Sequence, residues 1–221
     1  MSGGFAFERL AEDGAARTGR LTTPHGEVET PAFMPVATYG AVRGLAPDEL
    51  AGIGAQILLA NTYHLHERPG DETVRALGGL HGFTGWRGPW LTDSGGYQVF
   101  SLGDRMQLDD DGVTFQSPLD GTRRRLTPES AVAIQEALGA DVAMVLDECP
   151  PADGDEARAR RATERTLRWA ERAAGARKRE DQWLFGIVQG GTLPSLRRES
   201  ARGTAAIGFD GYAHGGLGLG E

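Results

Sequence analysis

The strongest constraint on the fold is a repeated pattern of continuous apolar runs, each of which ends in a polar residue or in glycines. Four of these runs end at Asp93, at Asp147, at Gln189 and at Gly215-Gly216. Helical patterns separate the runs, and unbroken apolar strands that alternate with helices are typical of a parallel sheet buried on both faces. The sequence therefore predicts an α/β protein in which the carboxyl ends of neighbouring strands meet at one face, where ligand sites lie.

Turn and cap signals divide the chain into further elements. Residues 5–36 are expected to form short antiparallel strands, because Glu12-Asp13-Gly14 and Pro24-His25-Gly26 are typical turn sequences. Asp111-Gly112 and Asp120-Gly121 are hairpin-type turns, which predict a β-ribbon inserted after the strand that ends at Asp93. The remaining apolar runs predict strands at 56–60, 89–92, 142–146, 183–188 and 211–214. Helices are expected at 47–55, 69–80, 127–138, 155–177 and 194–207.

These elements amount to about six strand–helix units, and that number bears on the architecture. A closed (β/α)8 barrel has eight units and typically about 250 residues, whereas this chain has 221. We therefore expect an α/β fold of the TIM-barrel family, an incomplete barrel preceded by the antiparallel segment and interrupted by the ribbon. Residues 1–221 would form a single truncated domain, a fragment or truncated product of a longer barrel, with the last strands absent.

Composition and charge narrow the class of protein further. The single cysteine, Cys149, excludes an internal disulfide framework and leaves no cysteine cluster for a structural zinc site. No apolar run is long enough to span a bilayer and no signal peptide opens the chain, so we expect a cytoplasmic protein without a membrane partner. The net charge of −8 disfavours a nucleic-acid partner unless a local basic patch meets it.

Several charged or polar residues have ordinary structural interpretations. The predicted helix at 155–177 carries many arginines, which are expected to form a solvated outer face. These are Arg158, Arg160, Arg161, Arg165, Arg168 and Arg172, and the expected inner stripe comprises Ala159, Thr163, Leu167, Ala170 and Ala174. His64 and His66 alternate, so in an extended segment they point to opposite faces and make a poor metal pair, and no metal site is expected. Cys149 is expected to be a small wall residue of a pocket. Arg123-Arg124-Arg125 is expected to be a charged ribbon edge, with contact to RNA phosphates as the alternative.

The strand ends predict one pocket with a defined hydrogen-bonding edge. The residues expected to line it are Asp93, Ser94, Tyr97, Asp147, Gln189 and Gly216. A carboxylate, a carboxamide and a backbone N–H together suit a purine-like base, and an aromatic ring can stack on it. The carboxylate of Asp147 favours a guanine-type edge over adenine, because the wrong base would leave a buried charge without its donors.

Five motifs follow one another in a fixed order between about Thr30 and Glu221. They are Asn61-Thr62-Tyr63-His64-Leu65 with Arg68-Pro69-Gly70, Thr-Asp-Ser-Gly-Gly-Tyr-Gln-Val at 92–99, Asp147-Glu148-Cys149, Phe-Gly-Ile-Val-Gln-Gly-Gly at 185–191, and Gly208-Phe209-Asp210-Gly211-Tyr212-Ala213 through Gly215-Gly216-Leu217. Together they resemble the tRNA-guanine transglycosylase (queuine tRNA-ribosyltransferase) family. The resemblance implies a (β/α)8 barrel that exchanges guanine at the wobble position of certain tRNAs for a 7-deazaguanine.

The resemblance also implies a role for individual residues. Asp93 would be the proton acceptor and donor for the bases, and Tyr97 would stack on the base in a pocket also lined by Ser94, Gly95 and Gly96. The remaining implied contacts are Asp147 and Gln189 reading the edge of the base, Gly216 donating a backbone N–H, Leu217 offering a carbonyl to the exocyclic amine of the incoming base, and Glu221 buttressing that backbone. Leu219 resembles the bulky aliphatic residue of bacterial members, which favours 7-aminomethyl-7-deazaguanine as the substrate.

Parts of the family's machinery are implied to lie after the last residue of this chain. These are the nucleophilic aspartate, the Cys/His zinc site and the main contacts to the anticodon loop. The chain is therefore expected to need no cofactor of its own and to be inactive or very weak alone, since retention at C1′ takes two displacements through a covalent intermediate. In full-length form we expect tRNA as partner, guanine or a 7-deazaguanine as the base, and a homodimer.

Two other functions stay open at this point. A barrel glycoside hydrolase could use Asp93 and Asp147 as its pair of carboxylates, although it would need sugar-stacking aromatics besides Tyr97. The chain could also be a non-catalytic partner subunit that holds a barrel face against an active protomer. The combination of Asp93, Asp147 and Gln189 disfavours that second alternative, because a non-catalytic subunit has no need of it.

Overall fold

The computed structural model describes residues 4–150 and 155–217, so Leu219 and Glu221 lie outside the described residues. The chain forms two compact units, each assembled from three chain segments. The first unit comprises Met1–Thr92, Gln135–Ala143 and Arg179–Trp183, and the second comprises Asp93–Ile134, Met144–Lys178 and Leu184–Glu221. The expectation of a single domain over residues 1–221 stays a prediction.

The elements of the described residues are numbered here in chain order. The strands are β1 (Ala6–Asp13), β2 (Ala16–Thr23), β3 (Gly26–Thr30), β4 (Val36–Ala37), β5 (Leu58–Ala60), β6 (Trp90–Thr92), β7 (Met106–Asp109), β8 (Gly112–Gln116), β9 (Arg123–Leu126), β10 (Val142–Met144), β11 (Trp183–Val188) and β12 (Gly211–His214). The helices are α1 (Pro47–Gly52), α2 (Thr62–Glu67), α3 (Asp71–Ala76), α4 (Gly79–Thr84), α5 (Gly96–Phe100), α6 (Pro128–Leu138), α7 (Glu156–Ala176) and α8 (Pro194–Ile207).

The first unit opens with the expected antiparallel sheet and continues into parallel strands. β2 pairs antiparallel with both β1 and β3. Leu59 of β5 pairs in parallel register with Val36 on one side and Leu91 on the other, and Leu91 pairs in turn with Val142. Trp90 and Val142 are completely buried. The short apolar runs are therefore buried parallel strands, as the absence of polar alternation predicts.

The second unit contains the ribbon and a second stretch of parallel strands. β8 pairs antiparallel with β7 and β9, which confirms the ribbon predicted from the two Asp-Gly turns. β11 and β12 are parallel, with Phe185 opposite Gly211 and Val188 opposite His214. The residues after both strands, from Gln189 and from Gly215 onward, therefore leave the sheet at the same level. The mixed α/β class with a parallel sheet is confirmed.

The prediction of one helix at 69–80 is wrong, because α3 ends at Ala76 and α4 begins at Gly79. α2 ends before Arg68, α3 begins after Gly70 and α4 begins after Gly78. Gly70 and Gly78 have φ angles of +100° and +90°, which interrupt the helical path. His64 and His66 lie in α2, so the interpretation of an extended segment was also wrong.

The long helix α7 differs from its prediction on both faces. Trp169 is completely buried, whereas Leu167 and Ala174 of the expected inner stripe are half-buried. Its arginines are not all solvated: Arg165 and Arg168 both bind the carboxylate of Asp110 in the ribbon turn, at 3.2 and 2.9 Å. Trp169 donates its indole N–H to the Asp110 carbonyl at 2.8 Å. This face of α7 therefore binds the turn between β7 and β8 of the ribbon.

Among residues 4–150 and 155–217, no helix has the length and apolar character needed to cross a membrane.

Candidate functional site

The carboxylate of Asp93 sits in a tight turn directly after β6. Its Oδ1 accepts the backbone N–H of Gly95 at 3.1 Å, and Gly95 has a φ of +78°, a conformation that favours glycine. The Asp93 side chain is half-buried, and helix α5 begins one residue after Gly95. The turn therefore holds the Asp93 carboxylate at the end of the strand, as its sequence predicts.

The next two residues connect this turn to the end of the β10 segment. The Ser94 hydroxyl donates to Oδ1 of Asp147 at 3.1 Å and accepts the backbone N–H of Gly96 at 3.2 Å. A Cβ at Gly96 would lie only 2.9 Å from the Asp147 carbonyl oxygen. Glycine is needed here because a larger residue would separate the two loops.

Asp147 and Gln189 form the buried centre of the site. Asp147 is 8% exposed and Gln189 is fully buried, and Nε2 of Gln189 donates to Oδ2 of Asp147 at 2.5 Å. Burial raises the pKa of the Asp147 carboxyl above its ordinary value of 3.8, although the hydrogen bonds from Gln189 and Ser94 act in the opposite direction. The backbone of Gln189 is fixed by α8, since its N–H donates to the hydroxyl of Ser200 at 3.0 Å.

One polar atom of this centre lacks a hydrogen bond. Oε1 of Gln189 is buried and has no partner among the described residues. The backbone of Gly216 lies against it, since a Cβ at Gly216 would be 3.0 Å from Oε1. A buried acceptor without a donor costs about 1–3 kcal/mol, so this atom marks a position where a ligand N–H would be favourable.

Tyr97 and Cys149 line a cavity next to the loop that carries Asp147. They are part of a cavity of about 350 Å³ that Pro150 and Arg158 also line. The Tyr97 ring is 53% exposed, and Cys149 Sγ lies 3.8 Å from the position that a Cβ on Gly216 would occupy. The cavity wall therefore contains an aromatic side chain, and one of its lining residues, Cys149, lies beside the Gly216 backbone.

The loop that carries Asp147 is held by α7. The backbone N–H of Glu148 donates to the Thr166 hydroxyl at 3.0 Å, and the Glu148 carboxylate forms an ion pair with Arg165. A hydrogen bond and an ion pair to α7 thus fix the position of Glu148, the residue after Asp147. The glutamate carboxylate is turned to Arg165, which leaves Asp147 as the acidic group of the centre.

The structure brings together part of the predicted set. Contacts or close backbone approaches join Ser94, Gly96, Asp147, Gln189 and Gly216. Asp93 and Gly95 belong to the turn next to Ser94. Leu217 is 62% exposed, and Glu221 lies outside the described residues.

Two residues of the site were missed from the sequence. Ser200 and Arg197, both in α8, contact the backbone of the loops that carry Gln189 and Gly216. The sequence shows only that they belong to a helix. Their position in the first two turns after a glycine-rich loop was the one available signal, because the start of such a helix faces the loop.

A histidine cluster in the first unit was also missed. His25 and His81 both lie close to the carboxylate of Asp141, and their ligand atoms are within 4.8 Å of one another. However, the two rings are stacked with centroids 3.5 Å apart and planes 18° apart. Two nearly parallel rings cannot both direct an in-plane lone pair at one ion, and Nε2 of His81 already lies 3.1 Å from the Gly88 carbonyl. The cluster therefore fits a hydrogen-bonded pair around a carboxylate better than a metal site.

Comparisons with known proteins agree on one family. A family model described as "Queuine tRNA-ribosyltransferase" matches residues 12–221. A queuine tRNA-ribosyltransferase of Thermus thermophilus is 60% identical over 217 residues, which is 98% of this chain and 56% of that relative. Proteins with the same name from Marinobacter nauticus and Gloeobacter violaceus are each 56% identical, over 98% and 100% of this chain.

The matches cover nearly all of this chain but only part of each relative. The chain spans 56–58% of the length of these relatives. Nearly every residue of the chain is covered, including the turn at Asp93, the centre at Asp147 and Gln189, and the glycines at 215–216. The chain belongs to the queuine tRNA-ribosyltransferase family.

Proposed function

We propose that this chain binds the base in a tRNA-guanine transglycosylase, which exchanges guanine at the wobble position of tRNA for 7-aminomethyl-7-deazaguanine. The observation that carries the proposal is the buried Asp147–Gln189 pair, with its unpartnered acceptor beside Gly216. Asp147 and Oε1 of Gln189 accept N–H groups of the base. The second Nε2 hydrogen of Gln189 and the N–H of Gly216 donate to its carbonyl.

This arrangement selects a base by its hydrogen-bonding edge. Guanine and its 7-deaza analogues present a ring N–H and an amino group beside a carbonyl, which matches the acceptors and donors of the site. Adenine presents a ring acceptor at the corresponding position, so the buried Asp147 carboxylate would gain no donor from the ring and would face a second acceptor. Each such mismatch costs about 1–3 kcal/mol, or more for a charged group.

Asp93 is the residue we propose for proton transfer. Its carboxylate is half-buried and fixed by the Gly95 N–H at the end of β6. A carboxyl group in this position can protonate a departing guanine and then deprotonate the incoming base. Tyr97 would stack on the ring from the cavity side, and Leu217 would offer its carbonyl to an exocyclic amine.

The complete reaction needs groups that the resemblance assigns to later residues of the family. These are the nucleophilic aspartate, the zinc site and the main contacts to the anticodon loop, and the chain spans 56–58% of its relatives. We therefore propose that this chain binds the base but does not exchange it alone. In full-length form the partner would be tRNA and the assembly a homodimer, and the parallel strands would belong to a (β/α)8 barrel. The parallel pairings of β5, β6, β11 and β12 support that architecture.

Base binding is testable on the chain as it exists. Isothermal titration calorimetry with guanine and adenine should show that guanine binds at least about 100-fold more tightly, the value expected for two or more lost hydrogen bonds. Gly96→Ala should abolish guanine binding, because its methyl group would approach the Asp147 carbonyl oxygen to 2.9 Å. The matched control is Gly175→Ala in α7, where nothing lies within 4 Å of the added methyl group. Equal affinity for both bases would contradict the proposal.

Exchange is tested separately with labelled guanine and cognate tRNA. The chain alone should incorporate no label above background. Robust incorporation would show that the chain contains a nucleophile and would contradict the proposal that it does not exchange the base alone. Guanine binding without incorporation supports that proposal. The non-catalytic partner subunit is distinguished by gel filtration with a full-length protomer, since only that alternative requires a stable mixed complex without guanine binding.

A further inference from the structure

The guanidinium group of Arg197, in α8, donates hydrogen bonds to three backbone carbonyls. Arg197 donates from Nε to the carbonyl oxygen of Gly191 at 2.9 Å, from Nη1 to that of Val188 at 2.9 Å, and from Nη2 to that of Gly215 at 2.7 Å. The three acceptors belong to the last residue of β11, to the loop after it and to the loop after β12. One rigid, planar guanidinium therefore sets the distance between the two loops that hold Gln189 and Gly216.

The position of Arg197 is itself fixed by the chain around it. Its backbone N–H donates to the Leu193 carbonyl at 3.0 Å in the first turn of α8. The loop passes so close that a Cβ at Gly190 would lie 2.6 Å from the Arg197 backbone nitrogen. The guanidinium is thus held from a helix, which makes it a firmer support than a loop residue would be.

The contact with Gly215 has a direct geometric consequence for Gly216. The carbonyl of Gly215 and the N–H of Gly216 belong to the same planar peptide group, and in a trans peptide the two point in opposite directions. Holding the oxygen toward Arg197 therefore turns the N–H of Gly216 away from it. The positive charge next to the oxygen also polarises the peptide group, which strengthens that N–H as a donor.

The preceding peptide group is fixed as well. The N–H of Gly215 donates to the Val188 carbonyl at 2.9 Å, and the same oxygen accepts from Arg197. Gly216 has a φ of +71°, and its Cα packs against the Gln189 carboxamide. A glycine at this conformation is free to rotate its peptide group unless something else holds it. Arg197 is the group that does so.

We propose that Arg197 is the positioning residue that aims the Gly216 N–H at the carbonyl of the bound base and so sets the preference for a 6-oxo purine. This inference rests on the proposed base site and adds to it the group that orients one of its donors. Lysine cannot replace the arginine, because an ammonium group lacks the planar fork that reaches three carbonyls at once.

The test compares guanine with 6-thioguanine by calorimetry. 6-Thioguanine keeps the N–H donors of guanine and replaces the carbonyl oxygen with sulfur, a weaker acceptor. The wild-type chain should bind guanine about tenfold more tightly, the effect of one well-placed hydrogen bond. In Arg197→Gln and Arg197→Lys the affinity for guanine should fall more than that for 6-thioguanine, so the preference for guanine decreases, and the part that remains comes from Nε2 of Gln189.

The controls separate this inference from other causes. Arg198→Gln changes the adjacent arginine, which is exposed, and should leave both affinities unchanged. Circular dichroism establishes that the variants are folded, and if Arg197→Gln is not, the milder Arg197→Lys decides. Loss of both bases in equal proportion, or no loss at all, would overturn the positioning role alone. Failure of the wild-type chain to bind guanine would instead overturn the proposed function, and this inference with it.

Discussion

At the scale of single residues, the site is defined by the burial of Asp147. A carboxyl that is 8% exposed is stabilised in its charged form by the donors that reach it, and two of these are the side chains of Ser94 and Gln189. Those two hydrogen bonds do not compensate fully for the loss of water, so the pKa is raised. The charged carboxylate therefore gains when a ligand supplies further N–H donors.

The raised pKa of Asp147 predicts how stability depends on pH. The folded chain binds this proton more tightly than the unfolded chain, so the contribution of Asp147 to the free energy of unfolding is greatest below 3.8 and is lost as pH rises through the raised pKa. Urea denaturation from about pH 4 to 8 gives the free energy of unfolding of the wild type and of Asp147→Asn. The wild-type value minus the variant value should decrease as pH rises. Asp13→Asn, at an exposed carboxyl, is the matched control. A difference that does not vary with pH would contradict the expectation.

Residues at strand ends were predictable from the sequence, and their partners were not. Asp93, Asp147 and Gln189 follow apolar runs, so the pattern alone places them after strands. That Gln189 bonds directly to Asp147, or that Arg197 holds three carbonyls, depends on how close two loops come in the folded chain. No local pattern records such a distance.

At the scale of elements, α7 connects the ribbon and α6. Arg172 binds both carboxylate oxygens of Glu129 in the first turn of α6, at 2.7 and 2.9 Å, while Arg165 and Arg168 bind Asp110. This pairing lowers the pKa of Glu129 to about 2. The arginines of α7 serve as anchors because the acidic turn of the ribbon lies across them.

The Glu129–Arg172 pair should contribute stability at neutral pH and lose it in acid. Arg172→Gln is expected to lower the free energy of unfolding at pH 7 by no more than about 1 kcal/mol, since both side chains are partly solvated. The part of the effect that comes from this ion pair should shrink as pH falls below the ordinary glutamate value of 4.5, and it is lost below about 2, where Glu129 is protonated in both states. Denaturant titrations at pH 7 and pH 3 measure it. Arg161→Gln, at an exposed arginine of the same helix, should have no effect at either pH.

Elements with a specific terminating signal were the predictable ones. α6 begins after Thr127 and ends before Gly139, and β11, α8 and β12 have the bounds that their apolar and proline signals predict. The region at 69–80 failed because its glycines were read only as the end of a helix. In the folded chain, Gly70 precedes the first residue of α3 and Gly78 separates α3 from α4.

At the scale of the whole molecule, the two units share elements along the chain. The boundary between them falls within α6, within β10 and within β11. Separating the units would therefore break a helix and two strands. The sequence could predict the α/β class but not this division, because it arises from contacts between segments far apart in the chain.

Shared elements predict that the chain unfolds in one step. Three of the four tryptophans, Trp86, Trp90 and Trp183, belong to the first unit, whereas Trp169 and all of α7 and α8 belong to the second. Tryptophan fluorescence and far-ultraviolet circular dichroism should therefore give coincident urea transitions. Two resolved transitions would show that the units unfold independently.

The single cysteine, Cys149, lies in the cavity wall, so its reaction with a thiol reagent can report base binding. Cys149 lies beside Gly216 and shares its cavity with Tyr97, so a base held against these residues would cover its thiol. The rate at which iodoacetamide alkylates the chain should therefore drop in proportion to occupancy. No other thiol in the sequence competes for the reagent, so a single mass-spectrometric peak follows binding without any engineered label.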